Sequence, residues 1–380
     1  MNVFANLLGA AVIVLVLWDA FEAIVLPRRV TRRLRLTRLF YRSTWRPWSF
    51  LARRLPPGKL REGMLSSYGP LSLLLLLAVW ACGLTTGFAI LQWAGHSLEE
   101  SARRVSFATD LYMSGTTFFT LGLGDVTPHG ARARLLTVLE SGTGFGFLAV
   151  VIGYLPVIYS AFSRRETNIT LLDARAGSPP SAQELLKRFA HPDARPSMTR
   201  FLRDWELWTA ELMESHLSYP VLCYYRSQHD NQSWLAAMTT ILDTCAFVAA
   251  HGEGEIAWQA RMTFAIARHA VVDISQVLNA APVFGIVDRL PLAELERLRE
   301  DLRRTGIPLC KEPEGAERLS KFRQLYEPYV HTLAARLLIS LPGWTPAARS
   351  AHDNWQTSAW EKQSRGSSSS AAAAPDDEHA

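Results

Sequence analysis

The sequence predicts an all-α membrane protein with three transmembrane helices, a re-entrant segment between the second and third, and an α-helical cytosolic domain. Three observations carry that prediction. Residues 70–94 hold no charged side chain in 25 positions, and residues 135–162 hold one, Glu140, in 28. A bilayer core takes about 20 apolar residues of helix, so both stretches span it. After residue 163 the pattern changes to helical periodicity broken by Pro and Gly loops, as in a water-soluble domain.

The first span comes from residues 3–26, apolar apart from Asp19 and Glu22 and closed by Pro27. A cleaved leader would need a basic start and a small-residue cleavage site, and neither is present, so residues 1–27 read as an N-terminal transmembrane helix. Residues 28–66 form a basic linker. Between Pro27 and Glu62 there are eleven Arg and one Lys against a single acid, which is more than the whole chain's net charge of +5. A basic block wedged between apolar runs fits a membrane surface and argues against nucleic acid as a partner. Arg29, Arg32, Arg35 and Arg38 recur every third residue, as in the charged helix of a voltage sensor. A sensor helix needs partner spans with acidic counter-charges, and only one span precedes this stretch. The linker therefore reads as an interfacial segment on anionic lipid, with Leu34, Leu36, Leu39, Phe40, Trp45 and Trp48 dipping inward. Asp19 and Glu22 are expected to pair with its arginines.

The positive-inside rule sets direction. The Arg-rich linker is cytoplasmic, the N-terminus is outside, and the loop from 95 to 134 is external. The third span runs back in to Arg164-Arg165, so the C-terminus is cytoplasmic, in a multi-pass protein of the cell membrane.

The outer loop contains a run from Leu111 to Pro128 that is too apolar for a solvated loop and too short to span twice. It reads as a short helix from about 106 to 119 followed by an extended return. Non-helical backbone at membrane depth is tolerated where it lines a cavity or is buried in protein. The return reads Thr120-Leu121-Gly122-Leu123-Gly124-Asp125. Consecutive carbonyls that all face one axis can replace the water shell of a monovalent cation. Such a strand needs backbone of alternating hand, which Gly accepts and residues with a Cβ resist. Gly122 and Gly124 stand at alternate positions, and the Thr120 hydroxyl adds one more oxygen. The preceding helix aims its negative end at the same place.

This segment resembles the pore loop of the potassium-channel superfamily, whose signature is Thr-Val-Gly-Tyr-Gly-Asp with Pro following. Thr120, Gly122, Gly124, Asp125 and Pro128 match it, Leu121 replaces Val, and Leu123 replaces the usual Tyr. The resemblance covers residues 71–165 and implies a homotetramer, since each chain brings one pore loop. It also implies permeant K+ coordinated by Thr120, Leu121, Gly122, Leu123 and Gly124, with no other cofactor or metal. Filter support falls to Asp125, Tyr112 and Thr116, and residues 67–165 become a pore domain of outer helix, pore loop and inner helix. In the family the Tyr hydroxyl braces the filter. Leu123 lacks one, which keeps a weakly selective cation channel open as an alternative, beside a non-conducting membrane sensor or adaptor.

In the third span Gly142, Gly144, Gly146, Gly153 and Pro156 offer a hinge and a kink, or close helix packing. The stretch 155–162 resembles the Pro-containing inner-helix end of voltage-gated potassium channels, where the gate closes. Glu140 is the one intramembrane acid in this helix, a functional candidate by type. Its expected job is a hydrogen bond behind the short helix, to Thr116 or Thr117.

Residues 166–362 read as a helical cytosolic domain with helices near 182–190, 198–216, 233–250, 256–278, 292–304 and 316–340. No strand, Gly-rich turn and helix succeed one another, so a nucleotide-binding regulatory domain is not expected. A cytosolic ligand or protein on this domain stays open. His269 and Asp273, and His229-Asp230, are read as solvated polar faces, with no third metal ligand in register. Cys82, Cys223, Cys245 and Cys310 are far apart, which predicts reduced thiols and no zinc site. No nucleophile–base pair suggests an enzyme. Residues 363–380, a Ser-Ala run ending in acids, read as a disordered tail.

Overall fold

The computed structural model describes residues 2–26, 35–95, 98–99, 106–228, 232–285, 288–307 and 314–346. Arg29, Arg32, Leu34, His229, Asp230, Cys310 and the C-terminal tail lie outside the described residues. The chain is an all-α membrane protein, with one two-residue β pairing among the described residues. Contacts divide it into two units: residues 1–56 with 67–160, and residues 57–66 with 161–380.

In the first unit, α1 (Asn2–Ala20) ends in a π-helical turn over Phe21–Val25. α2 is Leu36–Arg54, and α3 runs Lys59–Ala94. α4 is the short Phe107–Phe118, and α5 runs Gly130–Ala176 without a break at any of its glycines or at Pro156. β1 (Leu98–Glu99) pairs antiparallel with β2 (Thr127–Pro128), Leu98 opposite Pro128. α1 and α3 touch backbone to backbone. A Cβ on Gly87 would sit 2.6 Å from Ile13 Cγ1, and one on Gly9 would sit 2.8 Å from the Gly87 carbonyl oxygen. Gly83 and Gly87 thus form a small-residue face that admits a neighbouring helix, the usual solution where lipid offers no hydrophobic drive. Ile13, Val16, Phe40, Trp80, Leu84 and Phe118 close the core around it.

The two acids of α1 behave differently from each other. Glu22 pairs with Arg35 at 3.3 Å, as expected. Asp19 does not reach an arginine among the described ion pairs. Its carboxylate accepts the Thr37 backbone N–H at 3.1 Å, the Thr37 hydroxyl, and the Trp80 indole N–H at 3.0 Å. Arg35, at the N-cap position of α2, supplies no side-chain cap, so Asp19 satisfies that exposed helix end from another helix. The aromatic face of α2 is corrected too. Phe40 and Trp45 are buried in protein, and Trp45 packs edge-on against Tyr68 at 4.7 Å. Arg38, Leu39, Arg42, Arg46, Phe50 and Leu51 remain exposed.

Four helical segments are long and apolar enough to cross a membrane: 3–24, α3, α5 and α8 (Trp234–His251). Every residue of α8 is buried inside the second unit. A helix that is apolar all round suits the middle of a bundle as well as a bilayer. α9 (Gly254–Val277), α11 (Glu314–Leu337) and α6 (Ala182–Ala190) pack against it, α7 (Met198–Ser218) packs mainly on α9, and α10 (Leu292–Arg304) lies against α6.

Two buried polar clusters stand out inside this unit. Arg289 grips Asp243 of α8 with two parallel bonds of 3.1 and 2.6 Å, and the Tyr326 hydroxyl donates to the same carboxylate. Burial alone would lower the Arg289 pKa, but Asp243 outweighs it and the guanidinium is held above its ordinary value. Burial, then Asp243, pushes the Tyr326 phenol well up, so it stays a donor. Near the start of the unit, Arg165 faces His216 Nε2 at 3.3 Å, while Nδ1 lies 2.8 Å from the Leu212 carbonyl oxygen. Arginine can only donate, so Nε2 accepts and Nδ1 carries the hydrogen. Burial and then the Arg165 charge hold His216 well below 6.5, as a neutral ring.

Two outcomes follow from this pairing. Asp243→Ala strands a buried guanidinium, at a cost of about 3–5 kcal/mol, so amide exchange in α8 and α11 should accelerate sharply. Because the folded-state pKa of His216 is depressed, its contribution is intact above the unfolded value of 6.5 and fades as pH falls below it. Amide exchange of α7 should therefore speed up on acidification, with a shallower pH slope in His216→Gln.

Candidate functional site

α4 buries Asp110, Ser114 and Phe118, at i, i+4 and i+8, together with Met113. The helix ends by turning its next amides back on itself. Phe119 N–H bonds the Gly115 carbonyl at 3.0 Å, and Thr120 N–H bonds that of Thr117 at 3.0 Å. The Thr116 carbonyl then receives both Leu121 N–H at 2.7 Å and Gly122 N–H at 3.3 Å. Thr116 thus supports the returning strand through its backbone, while its hydroxyl bonds Met113.

Backbone hand alternates along that strand: φ is +57° at Thr120, +57° at Gly122 and +78° at Gly124, with Leu121 and Leu123 between them. Two of these positions are the glycines expected from the sequence. Thr120 was not foreseen, because a β-branched residue at positive φ is a strained outlier that only its surroundings can hold. Among the described residues, no hydrogen bond reaches the carbonyl oxygens from Thr120 to Gly124. The leucine side chains point into open space, with Leu121 64% and Leu123 62% exposed.

One supporting side chain finds a partner, and one expected partner changes. The Tyr112 hydroxyl donates to Asp125 Oδ2 at 2.9 Å, one residue beyond Gly124. Leu123 offers no polar atom, so the carboxylate next along the strand takes the bond. Glu140, fully buried on α5, is met by the Ser114 hydroxyl and not by Thr116 or Thr117. Ser114 also lies 2.6 Å from the Thr85 carbonyl oxygen of α3, so this one side chain links three helices. Ser114 escaped the sequence reading. Its place with Asp110 and Phe118 on one helical face is the signal that could have found it.

The glycines of α5 separate by environment. A Cβ on Gly144 would overlap the Phe118 carbonyl group, with the carbonyl carbon 2.8 Å away, whereas Gly142, Gly146 and Gly153 face open space. Gly144 is therefore where α5 passes against the end of α4. Higher up, Gln92 Nε2 reaches the Ala133 carbonyl and the Thr137 hydroxyl at 3.3 Å each, fixing α3 to α5.

Residues 75–160, which enclose α4, the strand and the packed halves of α3 and α5, match the family model described as ion channel. This stretch is similar to an ion-channel module, and is called that below. The chain is also 23% identical over 248 residues to the uncharacterised membrane protein YdjJ of Bacillus subtilis (strain 168), covering 64% of this chain and 70% of that protein. It is 36% identical over 88 residues to protein LctB of Bacillus caldotenax, covering 20% of this chain and 65% of LctB. The YdjJ alignment is longer than the ion-channel module, so that likeness continues outside it. No solved structure matches.

Outside the module, His269 and Asp273 pair with each other at 3.0 Å. No group of three potential metal ligands occurs among the described residues.

The glycine environments predict a paired outcome. Gly144→Ala must push α5 off α4 and should reduce ion flux at least severalfold, whereas Gly63→Ala, at an exposed position of α3 where a Cβ meets nothing within 4 Å, should leave flux near wild type. Flux from vesicles containing equal amounts of each protein checks this.

Proposed function

We propose that the chain is the subunit of a homotetrameric, potassium-selective channel whose filter is Thr120, Leu121, Gly122, Leu123 and Gly124. The observation that supports this reading is the alternating backbone from Thr120 to Gly124, with amides turned back to Thr116 and carbonyls left without partners. Carbonyl oxygens at membrane depth are costly unless something replaces water. Four such strands around one axis would replace it with permeant K+, stripped of its own shell. Four copies are required because one strand supplies one quarter of each ring of oxygens. The exposed apolar side chains of Val138, Phe145 and Ile152 on α5 leave room for neighbouring subunits and lipid.

Asp125 and Tyr112 act as filter support, taking the bracing role that Leu123 cannot fill. The buried Ser114–Glu140 link anchors α4 from behind. Gly142, Gly146, Gly153 and Pro156 serve as the gate region of the inner helix. The exposed Arg38, Arg42 and Arg46 lie on anionic lipid of the cytoplasmic leaflet, with Arg35 held by Glu22. That reading sets the N-terminus outside and the C-terminus in the cytoplasm of a cell-membrane protein. A weakly selective cation channel is the second reading, favoured only by Leu123.

Reconstituted vesicles should pass K+ well ahead of Na+. Equal permeability would favour the second reading, and no flux of either ion would favour a non-conducting adaptor. Gly122→Ala should abolish conduction while oligomer yield persists. A Cβ at positive φ costs about 1–2 kcal/mol per subunit and tilts a carbonyl off the ion path. Normal flux through Gly122→Ala would contradict the filter assignment.

A further inference from the structure

The second unit holds residues 59–66 at the start of α3 and residues 161–176 at the end of α5. One short segment of that unit grips both. The Arg165 guanidinium of α5 donates to the Leu222 and Tyr225 carbonyls at 3.0 Å each, and Glu166 meets its charge at 2.8 Å. The adjacent Arg226 reaches Glu62 of α3 at 3.8 Å and donates to the Leu337 and Leu338 carbonyls at 2.8 and 2.9 Å. Residues 220–226 therefore knot together α5, α3 and the end of α11.

His216 lies in the last turn of α7, directly before that knot, and it is 1% exposed beside Arg165 at 3%. Its Nε2 accepts the Arg165 Nη1–H at 3.3 Å, a bond that exists only while the ring is neutral. A proton on Nε2 removes the acceptor and sets two cations side by side away from water, where repulsion is poorly screened. The groups that meet this ring offer no spare anion. Glu166 is engaged by Arg165, and burial pushes the Cys223 thiol up to about 12, so it stays neutral. From α8 comes the Trp234 ring at 5.2 Å, and from α7 the Leu212 carbonyl and Ser215 hydroxyl, both at Nδ1.

We propose that His216 is a pH switch whose protonation frees residues 161–176 of α5 from the 220–226 knot and thereby raises ion flux. The effect on flux rests on the channel reading above, whereas the release stands on the second unit alone. A freed ring regains an ordinary pKa of 6.5, so acid favours the freed state. Between about pH 7.5 and 5.5, one such proton raises the freed fraction roughly tenfold. The clamped state is the populated one at neutral pH, so a proton changes flux severalfold only when the freed state is the conducting one.

The test uses the full chain, in lipid nanodiscs for amide exchange and in vesicles for flux. In the wild type, protection of residues 161–176, with intrinsic exchange rates divided out, should fall about tenfold from about pH 7.5 to 5.5. K+ flux should rise severalfold when the face carrying the second unit is acidified over that range. His216→Gln, whose amide oxygen can accept from Arg165 in place of Nε2, should hold both readouts within about twofold. His216→Phe keeps the ring against Trp234 and serves the same purpose if the Gln variant does not fold. Unchanged protection in the wild type, or an equal fall in a folded variant, would overturn the proposal. So would a freed α5 with flux unmoved or reduced in a protein that conducts. Absence of K+ flux at every pH would overturn the channel reading and the flux effect with it, and exchange would still decide the release.

Discussion

Backbone carbonyls from Thr120 to Gly124 have no hydrogen-bond partner among the described residues, and much of the first unit follows from keeping them so. A strand at membrane depth would ordinarily satisfy its polar groups by helix or sheet bonding. Here the amides of Leu121 and Gly122 are drawn to a single carbonyl, that of Thr116, which frees the opposite edge. That arrangement requires α4 to be held rigidly from behind. Ser114 ties it to α3 and α5, Phe118 packs into the core, and Gly144 lets α5 approach closely enough to fix its end. Tyr112 secures the far side of the strand through Asp125. Positive φ at Thr120 is the strain this frame has to sustain.

Three buried acids, Asp19, Glu140 and Asp243, act alike across the two units. Each is met by donors chosen from a different part of the chain: Asp19 by Thr37 and Trp80, Glu140 by Ser114, Asp243 by Arg289 and Tyr326. Charge in low dielectric is tolerable only with such partners, and removing one leaves the other stranded. Apart from the Arg289 pair, the donors are neutral hydroxyl, indole or amide groups. These acids therefore act as joints between helices.

The helices were largely legible, because long uncharged runs and Pro or Gly punctuation are local signals. The expected 182–190 and 292–304 coincide with α6 and α10, and the expected 106–119 differs from α4 by one residue at each end. Partner choice was less legible. Thr116, Thr117 and Ser114 are all hydroxyl residues within one helical turn, and only the packing of α3 and α5 selects Ser114. The aromatic stripe of α2 reads the same whether it meets lipid or protein, so Phe40 and Trp45 were assigned to the wrong neighbour. Asp19 sits among arginines in sequence, yet an uncapped helix start claimed it. The strand's glycines were readable from chemistry, whereas a left-handed Thr120 contradicts local preference and could come only from tertiary constraint.

The central claim is that carbonyls of the Thr120 to Gly124 strand, from four copies, form a file of potassium sites. Anomalous diffraction from crystals of the full chain grown in thallium, a potassium surrogate, examines it directly. The account predicts a four-fold axis through the strand, with anomalous peaks stacked between the carbonyl planes of Thr120, Leu121, Gly122 and Leu123. A strand away from any four-fold axis, or on the axis without thallium between its carbonyls, would contradict it.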